Sequence, residues 1–349
     1  MSSILFVPIL IFSLFTFTHC TSETEQQTKT ATSKATDKPG ETTANPAETV
    51  TYPFPPDNQP TPDRILLGKT LFFDPILSGS NWISCATCHN PGLGWSDGLK
   101  TAVGHKMKVL GKNTPTILNG AFGNKMFWDG RADNLEAQAL GPIASPDEMN
   151  QNLDEAVLEL KNIQKYKDLF AKAYPGEEIS ANTIAKAIAN FERTIISADS
   201  PFDRWKKGDA NAISKSAQSG FALFNGKANC ASCHQGDHFT DNGFHNIGLK
   251  SNRKDVGRFK IVPVKSMKGA FKTPTLRDVE FTGPYMHDGS YATLEEVVEH
   301  YDRGGDETSN LDPNMAPLKL NFQEKADLVA FMKSLTGKKR IISIPELPR

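Results

Sequence analysis

Two C-x-x-C-H strings, an internal repeat and apolar stripes of helical period predict an all-α chain built as two copies of one unit. The strings are Cys85-Ala86-Thr87-Cys88-His89 and Cys230-Ala231-Ser232-Cys233-His234. Each is the attachment signature of a c-type haem: two thiols add across the porphyrin vinyl groups, and the adjacent histidine reaches the iron. A zinc knuckle also begins C-x-x-C, but it needs two further ligands per site. The chain has five cysteines in 349 residues, and no second pair stands near either string. Two covalently bound haem c groups are therefore expected, held by Cys85, Cys88, His89, Cys230, Cys233 and His234.

Seven positions recur at one offset of 159 residues. Thr114-Pro115-Thr116 meets Thr273-Pro274-Thr275, Asp129-Gly130 meets Asp288-Gly289, and Leu135-Glu136 meets Leu294-Glu295. Coincidental Gly/Pro turns do not share an offset. Gly68 with Leu71-Phe72, ahead of the first string, echoes Gly220 with Leu223-Phe224 ahead of the second. The strings themselves are offset by 145, so the second copy carries 14 more residues between haem and Thr-Pro-Thr. The predicted fold class is all-α, with two cytochrome c-like haem domains related by internal duplication.

The elements follow in chain order. The apolar run from Ile4 to Phe17 is short for a membrane span and makes residues 1–20 an export signal. Cys20, in Phe17-Thr18-His19-Cys20, sits in a setting that resembles a bacterial lipoprotein cleavage box. It departs from one in having His19 where a small residue is usual and no Lys or Arg before the run. Two outcomes stay open: cleavage ahead of Cys20 with a lipid anchor on it, or a signal left uncleaved or cleaved elsewhere. Export agrees with haem c, which bacteria assemble outside the cytoplasmic membrane, and places the chain in the periplasm. Residues 21–50 hold almost no large apolar side chain and read as a disordered tether. The remainder divides into an N-terminal haem domain, 51–212, and a C-terminal one, 213–349. A net charge of −1 favours neither nucleic acid nor an anionic surface.

Helical stripes run from Leu153 to Tyr174, through Val157, Leu160, Ile163, Leu169 and Phe170, and from Thr183 to Ile196, through Ile184, Ala187, Ile188, Phe191 and Ile195. From Thr293 to Tyr301, residues Leu294, Val297, Val298 and Tyr301 share one face, so Tyr301 points inward. Asn321 with Glu324 three residues on opens a last helix through Leu328, Phe331 and Leu335, and Gly337 stops it. No alternating strand pattern appears.

Over roughly residues 60–337 the chain resembles the bacterial dihaem cytochrome c peroxidase family, MauG-type members included. The resemblance implies a peroxide site at the first haem, electron entry at the second, a tryptophan between them and a calcium ion at the domain interface. Glu148, in Pro146-Asp147-Glu148-Met149, matches the distal acid/base of the family and Gln138 its distal amide. Ser145-x-x-Glu148 also reads as a capping box that would start the next helix. His105, sixteen residues after His89, matches a loop histidine that ligates the peroxide haem and leaves on activation; otherwise it is a solvated loop residue. Trp128 matches the bridge between haems, or is ordinary core, and His287 is its counterpart in the second copy. Asn113, Thr282 and Pro284 match the calcium ligands, or serve only as turn residues. Tyr301 occupies the slot where peroxidases place methionine and MauG-type proteins place tyrosine as second-haem ligand. The alternative is a core tyrosine with Met286, Met267 or Met315 on the iron.

The function implied is a periplasmic peroxidase that reduces hydrogen peroxide to water with electrons from a small cytochrome c or cupredoxin. The alternative, favoured by Tyr301, is a MauG-like oxidase that modifies residues of a partner protein through high-valent haem. A pure electron carrier is disfavoured by Glu148, Gln138 and Trp128. A homodimer is a further expectation.

Overall fold

The computed structural model describes residues 53–338 and 342–349. The export signal, Cys20 and the tether over 21–50 lie outside the described residues. Ten α-helices are present among the described residues: α1 (Pro62–Phe73), α2 (Cys85–Cys88), α3 (Leu135–Ala144), α4 (Leu153–Asn162), α5 (Gln164–Ala173), α6 (Ala181–Glu192), α7 (Pro201–Lys206), α8 (Lys215–Asn225), α9 (Leu294–Asp302) and α10 (Phe322–Ser334). The only sheet among them is a pair of two-residue antiparallel strands, β1 (Phe244–His245) and β2 (Phe271–Lys272), flanking the extra residues of the second copy. Strands that short carry no alternation to read in the sequence.

The duplication is visible in how each half closes. In the first, α1 crosses α6 at Gly68, where a Cβ would lie 1.8 Å from the Ala187 carbonyl oxygen. In the second, α8 crosses α10 at Gly220, where a Cβ would lie 1.9 Å from the Asp327 carbonyl oxygen. Backbones this close leave no room for a side chain, which explains the paired glycines. Phe72 then packs edge-on to Phe191 at 5.2 Å between ring centres, and Phe224 to Phe331 at 4.9 Å. Two apolar cores result, one running from Leu67 to Ile195 and the other from Phe202 to Leu335.

Three local expectations change. The stripe over 153–174 is two helices, because Ile163 turns extended (φ −102°, ψ 115°) after Asn162 and its N–H bonds back to Leu160. That break swings Tyr166 and Phe170 into the first core. The next stripe starts two residues early, at Ala181, because Ser180 forms a capping box with Thr183. The sequence Ser145-x-x-Glu148 starts no helix: the Glu148 N–H bonds to the Ser145 carbonyl in a turn, and α4 begins only after Asn152, which caps it. The capping boxes at Thr293–Glu296 and Asn321–Glu324 form as expected. The C-terminal residues return to the first half, where Ile342 packs on its core and Arg349 pairs with buried Asp74 at 3.2 Å.

Candidate active site

Each haem string is folded so that its histidine lies over its first cysteine: the His89 N–H bonds to the Cys85 carbonyl and the His234 N–H to the Cys230 carbonyl, both at 2.9 Å. The rings are fixed alike. His89 Nδ1–H donates to the Trp95 carbonyl at 3.1 Å, and His234 Nδ1–H to the Phe239 carbonyl at 3.0 Å. Trp95 and Phe239 both adopt left-handed backbone (φ 61° and 52°). With Nδ1 committed, Nε2 is the nitrogen left for iron. Burial lowers both histidine pKa values and keeps the imidazoles neutral, as ligation requires. The thiols are free in the bare chain. Burial pushes Cys88 up to about 11, helped by the Asp97 and Glu148 carboxylates, and Cys230 up to about 12.

One continuous cavity of about 610 Å³ reaches both strings. Its walls are apolar beside the thiols, with Ile117, Leu135 and Ile188 in the first half and Leu276, Val298 and Leu328 in the second. Two pairs of thiols, two neutral imidazole nitrogens and apolar walls are the donor set and slot of haem c, and the residues fit that group.

Around the first string, Glu148 and Gln138 both line the cavity. Neither side chain has a hydrogen-bond or ion-pair partner among the described residues. The turn carrying Glu148 is zipped to the loop at 104–108: the His105 N–H bonds to the Asp147 and Glu148 carbonyls at 3.1 and 2.8 Å, and Lys108 pairs with Asp147 at 2.7 Å. The His105 ring lies against Asn150 at 3.4 Å and is not part of the cavity wall. Lys106 and Met107 beside it are consecutive left-handed residues (φ 53° and 60°), a strained backbone.

The halves exchange a symmetric pair of backbone bonds. The Asn113 N–H donates to the His287 carbonyl and the Lys272 N–H to the Trp128 carbonyl, each at 2.9 Å. Asn113 corresponds to Lys272, and Trp128 to His287, at the offset of the duplication. Trp128 Nε1–H donates to the Asn113 carbonyl at 2.8 Å, and its ring meets His287 edge-on at 6.5 Å. His287 stacks on Phe271 at 3.5 Å; burial, with Lys112 nearby, drives its pKa down to about 3. Trp128 thus touches both halves beside the shared cavity.

At the second string, Tyr301, Met286 and Met315 line the cavity, whereas Met267 does not. Burial, then the charges of Cys230 and Cys233, push the Tyr301 phenol up. Its helix is anchored by buried His300, whose Nε2–H donates to the Ile247 carbonyl at 2.8 Å while Nδ1 faces the Tyr291 hydroxyl at 3.0 Å. Asn113, Thr282 and Pro284 also line the cavity. The Asn113 amide nitrogen donates to the Leu99 carbonyl at 2.9 Å, which leaves the side-chain oxygen to accept a hydrogen bond or coordinate a cation. These are neutral oxygens, so calcium held there would take the rest of its shell from water.

Three cavity residues escaped the sequence reading. Glu192 sits on α6, four residues after Ile188 and eight after Ile184, so an acid ending an apolar stripe was the available signal. Lys272 is where the second copy replaces Asn113. His245 lies between Asp241 at 2.9 Å and Asp312 at 2.7 Å. Cys233, Asp241 and His245 are grouped like metal ligands, but Cys233 belongs to a haem string and its sulfur is consumed by attachment.

Comparison with known proteins finds relatives along both halves of the chain. The model of the di-haem cytochrome c peroxidase family matches residues 62–211, and that of cytochrome c matches residues 217–336. Methylamine utilization protein MauG of Methylorubrum extorquens is 51% identical over 299 residues, covering 85% of this chain and 84% of that protein. Cytochrome c551 peroxidase of Nitrosomonas europaea is 37% identical over 303 residues, covering 85% and 87%. Among solved structures, a MauG-like protein associated with microbial copper homeostasis superposes with a TM-score of 0.77 at 32% identity, covering 82% of this chain and 92% of that one.

Proposed function

From the premise that this chain belongs to the di-haem cytochrome c peroxidase family, which includes MauG, and is an oxidoreductase acting on peroxide, we propose that it reduces hydrogen peroxide beside His89 with electrons that enter beside His234. When bound, the two haem c groups supply the redox chemistry. The chain supplies the proton handling and the wiring. Glu148 takes the proton from one peroxide oxygen and returns it to the other, which leaves as water. The Gln138 amide orients the peroxide by hydrogen bonding. Two electrons and two protons complete the conversion to two waters. Trp128, touching residues of both halves, is the contact through which electrons cross. The observation that carries this reading is the pair Glu148 and Gln138, both on the cavity wall with the first string and both without a hydrogen-bond or ion-pair partner among the described residues. The electron donor is a small cytochrome c or cupredoxin, and the compartment is the periplasm. Calcium at Asn113, Thr282 and Pro284 would tie the halves together at the same junction.

A second reading has two supports. Tyr301 lies on the cavity wall near Cys230 and Cys233, and the MauG relative is closer in sequence than the cytochrome c551 peroxidase. A phenolate on the second iron favours higher oxidation states, which suits withdrawal of electrons from residues of a partner protein. Mixing the half-reduced protein with peroxide and a reduced small cytochrome c separates the two. Peroxide-dependent oxidation of the cytochrome supports the first reading. A long-lived oxidised spectrum with no cytochrome turnover defeats it and supports the second.

A further inference from the structure

We propose that Lys272 is a haem-binding residue: its ammonium, reaching from the second half into the first, pairs with a propionate carboxylate of the haem held at Cys85 and Cys88. Lys272 lines the shared cavity. Its backbone is fixed to the Trp128 carbonyl at 2.9 Å. Its Nζ lies at the wall of the first half, 3.0 Å from where a Cβ on Gly123 would stand, with the Met126 methyl carbon 3.1 Å from that same point. No carboxylate or hydrogen-bond acceptor meets that ammonium among the described residues. Burial alone acts on it, pulling its pKa down to about 8, with no anion near enough to raise it.

A desolvated ammonium without a counter-ion is costly, and buried charges are normally paired. Two other cations on this junction are served: Lys112 pairs with Asp255, and Arg258 donates to the carbonyls of Asp129 at 2.9 Å and Gly130 at 2.6 Å. The anions that haem c brings into this cavity are its propionates. Lys272 stands at the duplication counterpart of Asn113, so the same junction position serves calcium in one copy and a carboxylate in the other. A positive charge beside the first haem stabilises its ferrous form, and the lysine also fastens one half to the cofactor of its neighbour.

The inference rests on the two-haem reading but not on peroxide chemistry, since the test uses no peroxide. Spectroelectrochemical titration of the haem-loaded protein reads both midpoint potentials. Lys272→Met should raise the ferric share of the first haem at a fixed potential about tenfold, equal to about 59 mV for one electron. The second haem should stay in place, and Lys272→Arg should recover most of the shift. Unchanged potentials in Lys272→Met, a shift confined to the second haem, or no recovery in Lys272→Arg overturns the assignment. Should Lys272→Met load haem poorly, acetic anhydride labelling of the unaltered haem protein across pH decides. A paired Lys272 titrates above the value of about 8 that burial alone gives it, whereas titration near 8 rejects the pairing.

Discussion

Glu192→Gln should stabilise the protein, and increasingly so as pH rises. Glu192 is 4% exposed, and its Oε2 has no hydrogen-bond partner among the described residues. Arg193, the cation next to it, is committed bidentately to Glu136 at 2.7 and 2.9 Å. Burial therefore pushes the Glu192 pKa from 4.5 up to about 8, opposed by Arg193 and assisted by Glu136. An acid whose pKa rises on folding holds its proton more tightly in the folded state than in the unfolded one. It costs nothing below the unfolded value, destabilises progressively as pH climbs through that value toward the folded one, and is constant above it. At 1.36 kcal/mol per unit, the cost by pH 8 is roughly 5 kcal/mol. Glutamine keeps the shape and never ionises, so the variant should match the parent at pH 4.5 and exceed it by several kcal/mol at pH 8. Urea unfolding of the haem-loaded proteins, followed by far-ultraviolet circular dichroism across that range, measures the difference. Stability curves that run parallel from pH 4.5 to 8 would refute a buried, unpaired acid at this position.

Glu148→Gln should lower peroxide turnover by about 10²–10⁴-fold with both haems still attached, the usual contribution of a positioned acid/base; turnover within a few-fold of the parent removes Glu148 from the proton path. Tyr301→Phe should change the absorption and electron paramagnetic resonance of the oxidised second haem and leave the first as it was. An unaltered second haem would point instead to Met286 or Met315. Gly220→Ala forces a Cβ to within 1.9 Å of the Asp327 carbonyl, so α8 and α10 must separate, at a cost of about 1–3 kcal/mol or more. Thermal unfolding of that variant at the parent's midpoint would show the crossing to be slack.

The haem strings and the duplication made the fold class readable, because covalent attachment and repetition both leave exact residue spacings. Gly68 and Gly220 were legible as an echo, while their cause, two helix crossings with no room for a side chain, needed three dimensions. The break at Ile163 was hidden because apolar residues continue on both sides of it and only their register changes. Ser145 and Glu148 had the letters of a capping box, yet the backbone turned instead, which frees Glu148 for the cavity. The docking of Ile342 and Arg349 on the first half depends on contacts hundreds of residues apart and has no local signal. Of the site residues, His89, His234, Glu148, Gln138, Trp128, Asn113, Thr282, Pro284 and Tyr301 come together around one cavity, while the His105 ring stands off it. Glu192 and Lys272 were missed because a single charge beside apolar residues looks, in sequence, much like a surface residue; only the stripe ending at Glu192 offered a signal.

The claim that electrons cross from the haem at His234 to peroxide at the haem of His89 can be read in one rapid-mixing trace. Half-reduced protein receives a single equivalent of hydrogen peroxide while the reduced band of the second haem is followed. Oxidation of that band in step with peroxide loss, and its marked slowing in Trp128→Phe, is the expected record. Peroxide disappearing while the second haem stays reduced would contradict it.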